Sequence, residues 1–204
     1  MEFKIENTNV YDIDKAIIAS GNAMRTTMVD NTQNMGEKDL KRGCMLGSTG
    51  LGEGHDQFLT GILVSFDIYA PLFQWKEIQR YTFLNFISSQ STMHRLAKFN
   101  IKEQCVSDTD SIILDRYQEI LDDYNTYNTQ ENVDPNIAKA KWRVLVASLP
   151  SGFVLGATMT TNYRQLKTIY LQRRHHKLKE WHVFCDWCEK LPYFLELTGV
   201  KDKA

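Results

Sequence analysis

The chain has 204 residues, of which 43% are hydrophobic and 11% aromatic, and its formal net charge is −1. This length fits one domain of ordinary size that buries a substantial core, and the composition excludes an intrinsically disordered chain. The near-neutral charge argues against a general nucleic-acid binder, because such proteins normally carry a strong basic excess.

Signals for export and for membrane insertion are missing from the sequence. The N-terminal residues MEFKIENTNVYDIDKAI lack the basic and apolar segments of a signal peptide. No apolar run approaches the roughly 20 residues that a membrane span needs. Four cysteines in such a chain indicate free thiols rather than a disulfide framework. We therefore expect a cytoplasmic protein that binds neither membranes nor nucleic acid.

The first predicted elements are a strand that enters a helix and a long loop. Residues 10–30 read as the entry and the helix, with Ile17, Ile18 and Met24 facing inward. Residues 31–53 are polar and rich in glycine around a helical turn at Glu37–Arg42, which is typical of a mobile loop. The run GSTGLGEGH could also cradle a phosphate, although it lacks the Gly-Lys-Ser/Thr ending of a P-loop.

A central stretch from Gly54 to Arg95 follows the loop. It predicts a half-buried strand, since apolar residues alternate with others at Ile62, Val64, Phe66 and Ile68. Pro71 lies where a helix would begin, a position at which its missing N–H costs no intrahelical hydrogen bond. Helical spacing then continues through Leu72, Trp75 and Ile78, which places Arg80 at the far end of the helix.

The second half of the chain predicts five further elements. Met93–Val106 reads as an amphipathic helix that ends before a capping segment at Ser107–Asp110. Apolar residues at helical spacing predict the next helix, and residues 136–147 predict another. FVLGATMTTN reads as a strand, and residues 163–190 as a long helix, either continuous or broken, that Pro192 ends. The apolar positions of the first of these later helices are Ile113, Tyr117, Ile120, Leu121 and Tyr124.

The central stretch resembles a family signature. Flavin-dependent thymidylate synthases, the ThyX family, carry Gly-His, a Glu-His pair, an apolar strand ending Phe-x-Ile or Phe-x-Val, Ala-Pro, and the motif R-H-R-x7-S. Laid without gaps, this chain matches at Gly54-His55, Phe66-x-Ile68, Ala70-Pro71 and Arg80. It departs from the pattern at Thr60-Gly61, Tyr81, Thr82 and Gln90, which stand at the Glu-His pair, the signature His, its second Arg and its Ser.

A second anchor for the resemblance lies in the C-terminal third. Family members run from Leu-Pro through a strand to N-x-R and then to a helical Arg. This chain has Leu149-Pro150, Asn162-x-Arg164 and Arg173 in that order. Two looser matches are Arg25-Thr26-Thr27 and Lys179-Glu180-Trp181-His182, at the family's A-R-x-S and A-Q-x-E.

The resemblance implies a fold, an assembly and an activity. The fold is one α+β domain over residues 1–204, a mainly antiparallel ThyX-like sheet flanked by helices, assembled as a homotetramer with composite sites. The activity is that of an FAD-dependent one-carbon transferase, in which a folate supplies the carbon and dUMP accepts it at C5. By position, the resemblance assigns flavin contact to His55, Arg80, Asn162 and Arg164.

The positions that hold the nucleotide in the family are altered here. By position, only Arg173 keeps the family residue; Glu77 and Gln90 stand for a Gln and the signature Ser, and Thr92 and Val146 for two Arg residues. A two-residue shift in register would bring Ser91 near the Ser position and His94-Arg95 near an Arg position. Glu77 puts a carboxylate where an anionic ligand should lie, and two of three Arg groups are lost. The substrate is therefore dUMP or another pyrimidine nucleotide, and no catalytic residue is assigned.

Several alternatives stay open. The chain could be a non-catalytic, ThyX-like binding or scaffold protein that has lost the dUMP site. Arg80 could form an ion pair with Glu77, and Asn162 could simply cap a helix. Cys185-x-x-Cys188 with His182 could bind zinc, but a buried helical stripe is favoured because structural zinc needs four ligands. The basic run Arg173–Lys177 suits either a phosphate or a solvated face.

Overall fold

The computed structural model describes residues 1–28 and 34–200. Within them, the strands are β1 (Lys4–Tyr11), β2 (Leu63–Pro71), β3 (Asn85–Ser89) and β4 (Val154–Asn162). The helices are α1 (Ile13–Ala19), α2 (Glu37–Gly47), α3 (Leu72–Ile78), α4 (Thr92–Arg95), α5 (Ile101–Gln104), α6 (Ser111–Asn128), α7 (Pro135–Ala147), α8 (Tyr163–Arg173), α9 (Lys179–Glu189) and α10 (Phe194–Thr198). Short 3₁₀ turns lie at Asn22–Met24, His55–Gly61 and Leu96–Lys98.

The strands form one antiparallel sheet in the order β1-β2-β4-β3, which confirms the predicted α+β class. Asp67 on β2 connects the two neighbouring strands. Its carboxylate accepts hydrogen bonds from Thr158 Oγ1 on β4 at 2.5 Å and from Asn7 Nδ2 on β1 at 2.7 Å. These two bonds lower the pKa of Asp67, because they stabilise its ionised form. The three strands are thus joined by side chains as well as by their backbones.

Contacts divide the described residues into two compact units, each with its own core. Unit 1 comprises Met1–Lys4, Ile68–Arg80 and Ser88–Ala157. Its core contains Leu96, Ile101, Cys105, Tyr117, Leu121, Leu145 and Phe153. Unit 2 comprises the described residues of Ile5–Asp67, Tyr81–Ile87 and the chain from Thr158 onward. Its fully buried side chains include Ile17, Leu59, Tyr163, Ile169, Trp181, Phe184 and Phe194.

The long periodic segments fold as predicted. The alternating residues of the central strand, Ile62, Val64, Phe66 and Ile68, are all buried, and Pro71 caps α3. Helix α6 begins at the predicted cap, where Asp110 accepts a hydrogen bond from the Ile112 N–H at 2.8 Å. Of the two options for the last long helix, the structure shows the broken one, with α8 and α9 separated by a short segment. Among the described residues, no helix is both long and apolar enough to cross a membrane.

Two local predictions are wrong, and one strand was missed. Met24 is 90% exposed, because α1 ends at Ala19 and the Arg25 guanidinium binds the Ile18 carbonyl beyond its end. Residues 93–106 form short helices instead of one. Leu96 and Ile101 are both buried, and five residues on a continuous helix would place them about 140° apart. Strand β3 was not predicted, since all five of its residues are exposed and give no alternation.

The predicted glycine-rich loop also contains more helix than expected. Helix α2 runs from Glu37 to Gly47, well past the predicted turn. Residues 31–33 of the predicted loop, and residues 29–30 of the predicted first helix, lie outside the described ones. The glycines of α2 serve close packing: Gly43 lies against Ile17 and Leu197, and Gly47 against the Leu197 carbonyl. Glycine here allows two helices to approach, and does not mark a loop.

Gly47→Ala is expected to destabilise the protein by about 1–3 kcal/mol or more, because the new methyl group would overlap the Leu197 carbonyl oxygen, a backbone atom. The gain in helix propensity, about 1 kcal/mol, is too small to offset the overlap. Gly43→Ala is the matched control in the same helix, since its methyl group would meet only side-chain atoms at 3.3 Å. Urea unfolding of both variants measures the difference, and equal stabilities would contradict the packing argument.

Candidate functional site

The start of α8 carries two of the predicted flavin-contacting residues. Asn162 ends β4 and caps α8, where its Oδ1 accepts a hydrogen bond from the Gln165 N–H at 2.9 Å. This bond confirms the capping role of Asn162. Arg164 follows in the first turn of α8, and its side chain is 33% exposed. The strand-to-helix junction therefore fixes both residues in place.

A buried charge cluster lies beneath Arg164. Asp56, in the 3₁₀ turn before β2, is 0% exposed. Its Oδ1 accepts from Arg164 Nε at 3.0 Å, and its Oδ2 lies 3.2 Å from Lys167 Nζ. Buried charges persist only when they are paired and hydrogen-bonded, and this carboxylate has two cationic partners. Among the described residues, the terminal nitrogens of Arg164 make no hydrogen bond, so they can donate to a ligand.

Lys167 also holds the loop that follows α2. Besides Asp56, its ammonium binds the carbonyls of Gly47 at 2.8 Å and Thr49 at 2.6 Å. The loop continues through Gly52 and Gly54, whose φ angles of 96° and 82° favour glycine. The loop that follows α2 is therefore anchored at its beginning, and its turns depend on glycine.

These elements enclose a cleft of about 560 Å³ in unit 2. The volume falls within the range of about 300–1,000 Å³ that is usual for small-molecule sites. Its walls combine apolar side chains with amide, hydroxyl and guanidinium groups. The lining residues are Leu51, Gly52, Gln57, Thr60, Phe83, Asn162, Arg164, Gln165 and Thr168.

A second pocket, of about 340 Å³, lies in unit 1 and is lined by Gln90, Ser91, Arg95, Lys98 and Phe99. Gln90 is fixed against β4, since its N–H binds the Gly156 carbonyl at 2.9 Å and its Oε1 accepts from the Gly156 N–H at 2.8 Å. Ser91 caps α4 through a hydrogen bond from the His94 N–H at 3.2 Å. Two of the predicted substrate positions thus share a pocket with two cations and an aromatic ring.

No protein-family model matches the chain, and no curated protein matches it in sequence. Solved structures do resemble it. The flavin-dependent thymidylate synthase ThyX from Helicobacter pylori, solved with FAD and dUMP, has a TM-score of 0.68 at 16% identity, with 97% of each chain covered. The UMP/dUMP methylase PolB from Streptomyces cacaoi, bound with 5-Br dUMP, has a TM-score of 0.62 at 15% identity, covering 97% of this chain and 93% of that one.

The chain has a ThyX-like fold. At such low identity the likeness establishes the fold alone, and the site residues assigned by resemblance remain predictions.

Two other assigned residues of the ThyX-like chain lie in unit 2 but do not line the cleft. His55 is exposed at the start of the 3₁₀ turn, directly before the buried Asp56. Arg173 donates from Nε to the Tyr81 hydroxyl at 2.7 Å and stacks over the Trp181 ring, 4.9 Å from its centroid. The Tyr81 hydroxyl in turn donates to Gln172 at 3.0 Å. Arg173 is therefore held by aromatic side chains of its own unit.

The remaining two assigned residues of the ThyX-like chain, Arg80 and Glu77, lie in unit 1 at the end of α3. Arg80 is exposed, and its N–H binds the Glu77 carbonyl at 3.2 Å. Neither residue lines the pocket of Gln90 and Ser91. Flavin contact by Arg80 and substrate contact by Glu77 stay predictions.

The buried thiols of this ThyX-like chain are structural. None of the four cysteines, all of which lie in the described residues, forms a disulfide. Cys185 and Cys188 are fully buried in α9 beside Trp181 and Phe184, which confirms the predicted apolar stripe. Burial raises the pKa of Cys188 well above its usual value and that of Cys105 to about 11. The described residues contain no cluster of His, Cys, Asp and Glu suited to a metal. The thiols of Cys105 and Cys188 are thus protonated and poorly nucleophilic at neutral pH.

Proposed function

We propose that the protein is a flavin-dependent, thymidylate synthase-like enzyme that binds FAD and a pyrimidine nucleotide and methylates C5 of dUMP or a related substrate. The observation that carries the proposal is the cleft of unit 2, where the Arg164 fork and the amide of Asn162 meet an exposed phenyl ring. A ThyX-like fold whose solved neighbours hold FAD and dUMP supports the same conclusion.

The residues of the cleft fit a flavin dinucleotide. A guanidinium binds a pyrophosphate through two parallel hydrogen bonds, and the terminal nitrogens of Arg164 have the donors for it. Leu51 and Phe83 supply apolar surface for a flat ring, since Phe83 is 61% exposed. Gln57, Gln165 and the hydroxyl of Thr60 can bond to ring or ribose heteroatoms.

The pocket of unit 1 fits a pyrimidine nucleotide. Arg95 and Lys98 can neutralise a phosphate, and Phe99 offers part of an aromatic ring against which a base can pack. Gln90 Oε1 already accepts a hydrogen bond from the Gly156 N–H, so the side-chain amide Nε2 is the group left to donate to a base carbonyl. Arg95 and Lys98 thus replace the arginines that the altered family positions lack.

FAD, when bound, supplies the redox chemistry that moves a one-carbon unit from a folate to the nucleotide. The residues of this chain bind and orient: Arg164 and Asn162 hold the cofactor, while Arg95 and Lys98 hold the substrate. The folate, the homotetramer and a cytoplasmic location belong to this proposal. So does a single functional domain over residues 1–204.

A second candidate is a non-catalytic binding or scaffold protein with the same fold. The observation that favours it is the state of Arg173, which stands at a substrate position of the family. Here it binds the hydroxyl of Tyr81, the residue that replaces the signature His. An arginine held by tyrosine and tryptophan rings has fewer donors to offer a nucleotide.

Binding titrations distinguish the two candidates. The enzyme proposal predicts a yellow preparation, or uptake of added FAD, and binding of dUMP by the FAD-loaded protein. Arg95→Ala should weaken dUMP binding about 10- to 100-fold, as expected for loss of a charge-assisted bond, and leave FAD affinity unchanged. Lys139→Ala, an exposed lysine of α7 outside the pocket, is the control. Protein that takes up neither FAD nor dUMP would exclude the enzyme.

A further inference from the structure

We infer that Asp56 is a positioning residue, whose buried carboxylate holds Arg164 and, through Lys167, the loop of residues 47–54 in the arrangement that forms the cleft. The inference rests on the proposed function, because it assigns the groups that shape the proposed flavin site. It concerns a residue at which the family resemblance assigns no role, and it can be tested in the ligand-free protein.

The carboxylate of Asp56 connects two parts of the cleft wall. Arg164, on α8, lines the cleft and is bound by Oδ1. Lys167, one turn later on the same helix, is bound by Oδ2 and holds the carbonyls of Gly47 and Thr49. Two residues after Thr49 the loop itself lines the cleft at Leu51 and Gly52. The carboxylate of Asp56 thus positions both the guanidinium of Arg164 and, through Lys167, the loop of residues 47–54.

The bond to Nε determines how Arg164 can meet a ligand. Arginine binds a phosphate best with two N–H groups of its planar fork, and the fork must be held in one orientation. Asp56 accepts the hydrogen bond from the Nε–H of Arg164 and leaves the two terminal nitrogens available to a ligand. Because the carboxylate is completely buried, water does not compete with Arg164 for it. The loop glycines with positive φ have no rigidity of their own, so the Lys167 anchor limits their motion.

Charge and position predict opposite effects for Asp56→Asn. Removal of a negative charge close to the cleft should strengthen the binding of an anion if only electrostatics matter. If Arg164 is no longer held in one orientation, anion binding should instead become weaker. Asparagine has nearly the shape of aspartate, so the comparison changes charge and hydrogen bonding with little change in packing. We expect FAD affinity to fall about 10-fold, in line with coupling between residues that share a network.

A double-mutant cycle with FAD tests whether Asp56 acts through Arg164. In the Arg164→Ala background, Asp56→Asn should change FAD affinity by less than about twofold, because the positioned group is gone. Asp39→Asn is the matched control: Asp39 also pairs with an arginine, Arg42 at 2.6 Å, in the same unit and away from the cleft lining. It should leave FAD affinity unchanged. Unchanged or tighter binding by Asp56→Asn, or a full tenfold effect without Arg164, would overturn the inference.

Hydrogen exchange of the ligand-free protein tests the loop separately. Amides of residues 49–52 should exchange about 10-fold faster in Asp56→Asn than in wild type, and at the wild-type rate in Asp39→Asn. Equal exchange in all three proteins would overturn the inference. If wild type takes up no FAD, the proposed function fails, and exchange alone decides the role of Asp56.

If Asp56→Asn does not fold, Arg164→Lys carries the same test. A lysine keeps the charge but cannot bind Asp56 and present a fork at the same time, so FAD should bind about 10-fold more weakly. Wild-type affinity in Arg164→Lys would overturn the inference.

Discussion

Replacement of Lys167 by methionine is expected to lower the free energy of unfolding by about 3–5 kcal/mol. Lys167 is 2% exposed, and its ammonium makes three contacts, with Asp56, Gly47 and Thr49. Methionine fills similar space but donates no hydrogen bond. The change leaves a fully buried carboxylate with Arg164 as its remaining cation, together with two carbonyls that have lost a donor. Urea unfolding followed by tryptophan fluorescence measures the loss.

Lys102→Met is the matched control for this experiment. Lys102 also forms an ion pair, with Asp115 at 2.7 Å, but their side chains are 57% and 63% exposed. An exposed pair of this kind contributes about 0–1 kcal/mol, so its loss should hardly change the urea midpoint. A similar small effect from both substitutions would mean that the buried cluster does not stabilise the fold.

Arg164→Ala is expected to weaken FAD binding about 10- to 100-fold. The side chain offers charge-assisted hydrogen bonds to a phosphate, and such a bond contributes about 1.5–3 kcal/mol. Arg164→Lys should recover part of the affinity at most, because an ammonium cannot reproduce the bidentate fork. Titration of apo-protein with FAD, followed by flavin fluorescence well below the unfolding temperature, gives the three affinities.

Arg116→Ala controls for the loss of a positive charge. Arg116 lies on α6, is 70% exposed and pairs with Glu119 three residues later, so it belongs to a solvated helix face. Its removal should leave FAD affinity at the wild-type value. Equal affinities for wild type, Arg164→Ala and Arg116→Ala would show that the cleft is not the flavin site, whatever else the fold binds.

Elements with strong periodicity could be predicted from the sequence, because burial on one face leaves a regular pattern. The alternation from Ile62 to Ile68 in β2 is one case, and the helical spacing around Tyr117 in α6 is another. Prediction failed where tertiary packing outweighed local signals. Gly43 and Gly47 look like loop residues, yet they let α2 pack closely on α1 and α10.

Part of the candidate site could be predicted, and part could not. The family resemblance singled out Asn162 and Arg164, which line the cleft of unit 2, and Gln90 and Ser91, which line the pocket of unit 1, while their contacts with flavin and substrate stay predictions. Asp56 and Lys167 gave no signal, because they are 111 residues apart and a lone charge usually indicates a solvated surface. Only the fold brings the acidic turn, the loop carbonyls and α8 together.

Because Cys185 and Cys188 are completely buried, the reactivity of their thiols measures how often α9 is released from the core. Their sulfur atoms can meet a reagent only when the helix leaves its core, beside Trp181 and Phe184. The rate at which Cys185 and Cys188 are modified under native conditions, measured separately from those of the half-buried Cys44 and of Cys105, therefore reports how often that region opens. Its dependence on urea separates local from global opening. No label or substitution needs to be introduced, since the chain already carries its own reporter.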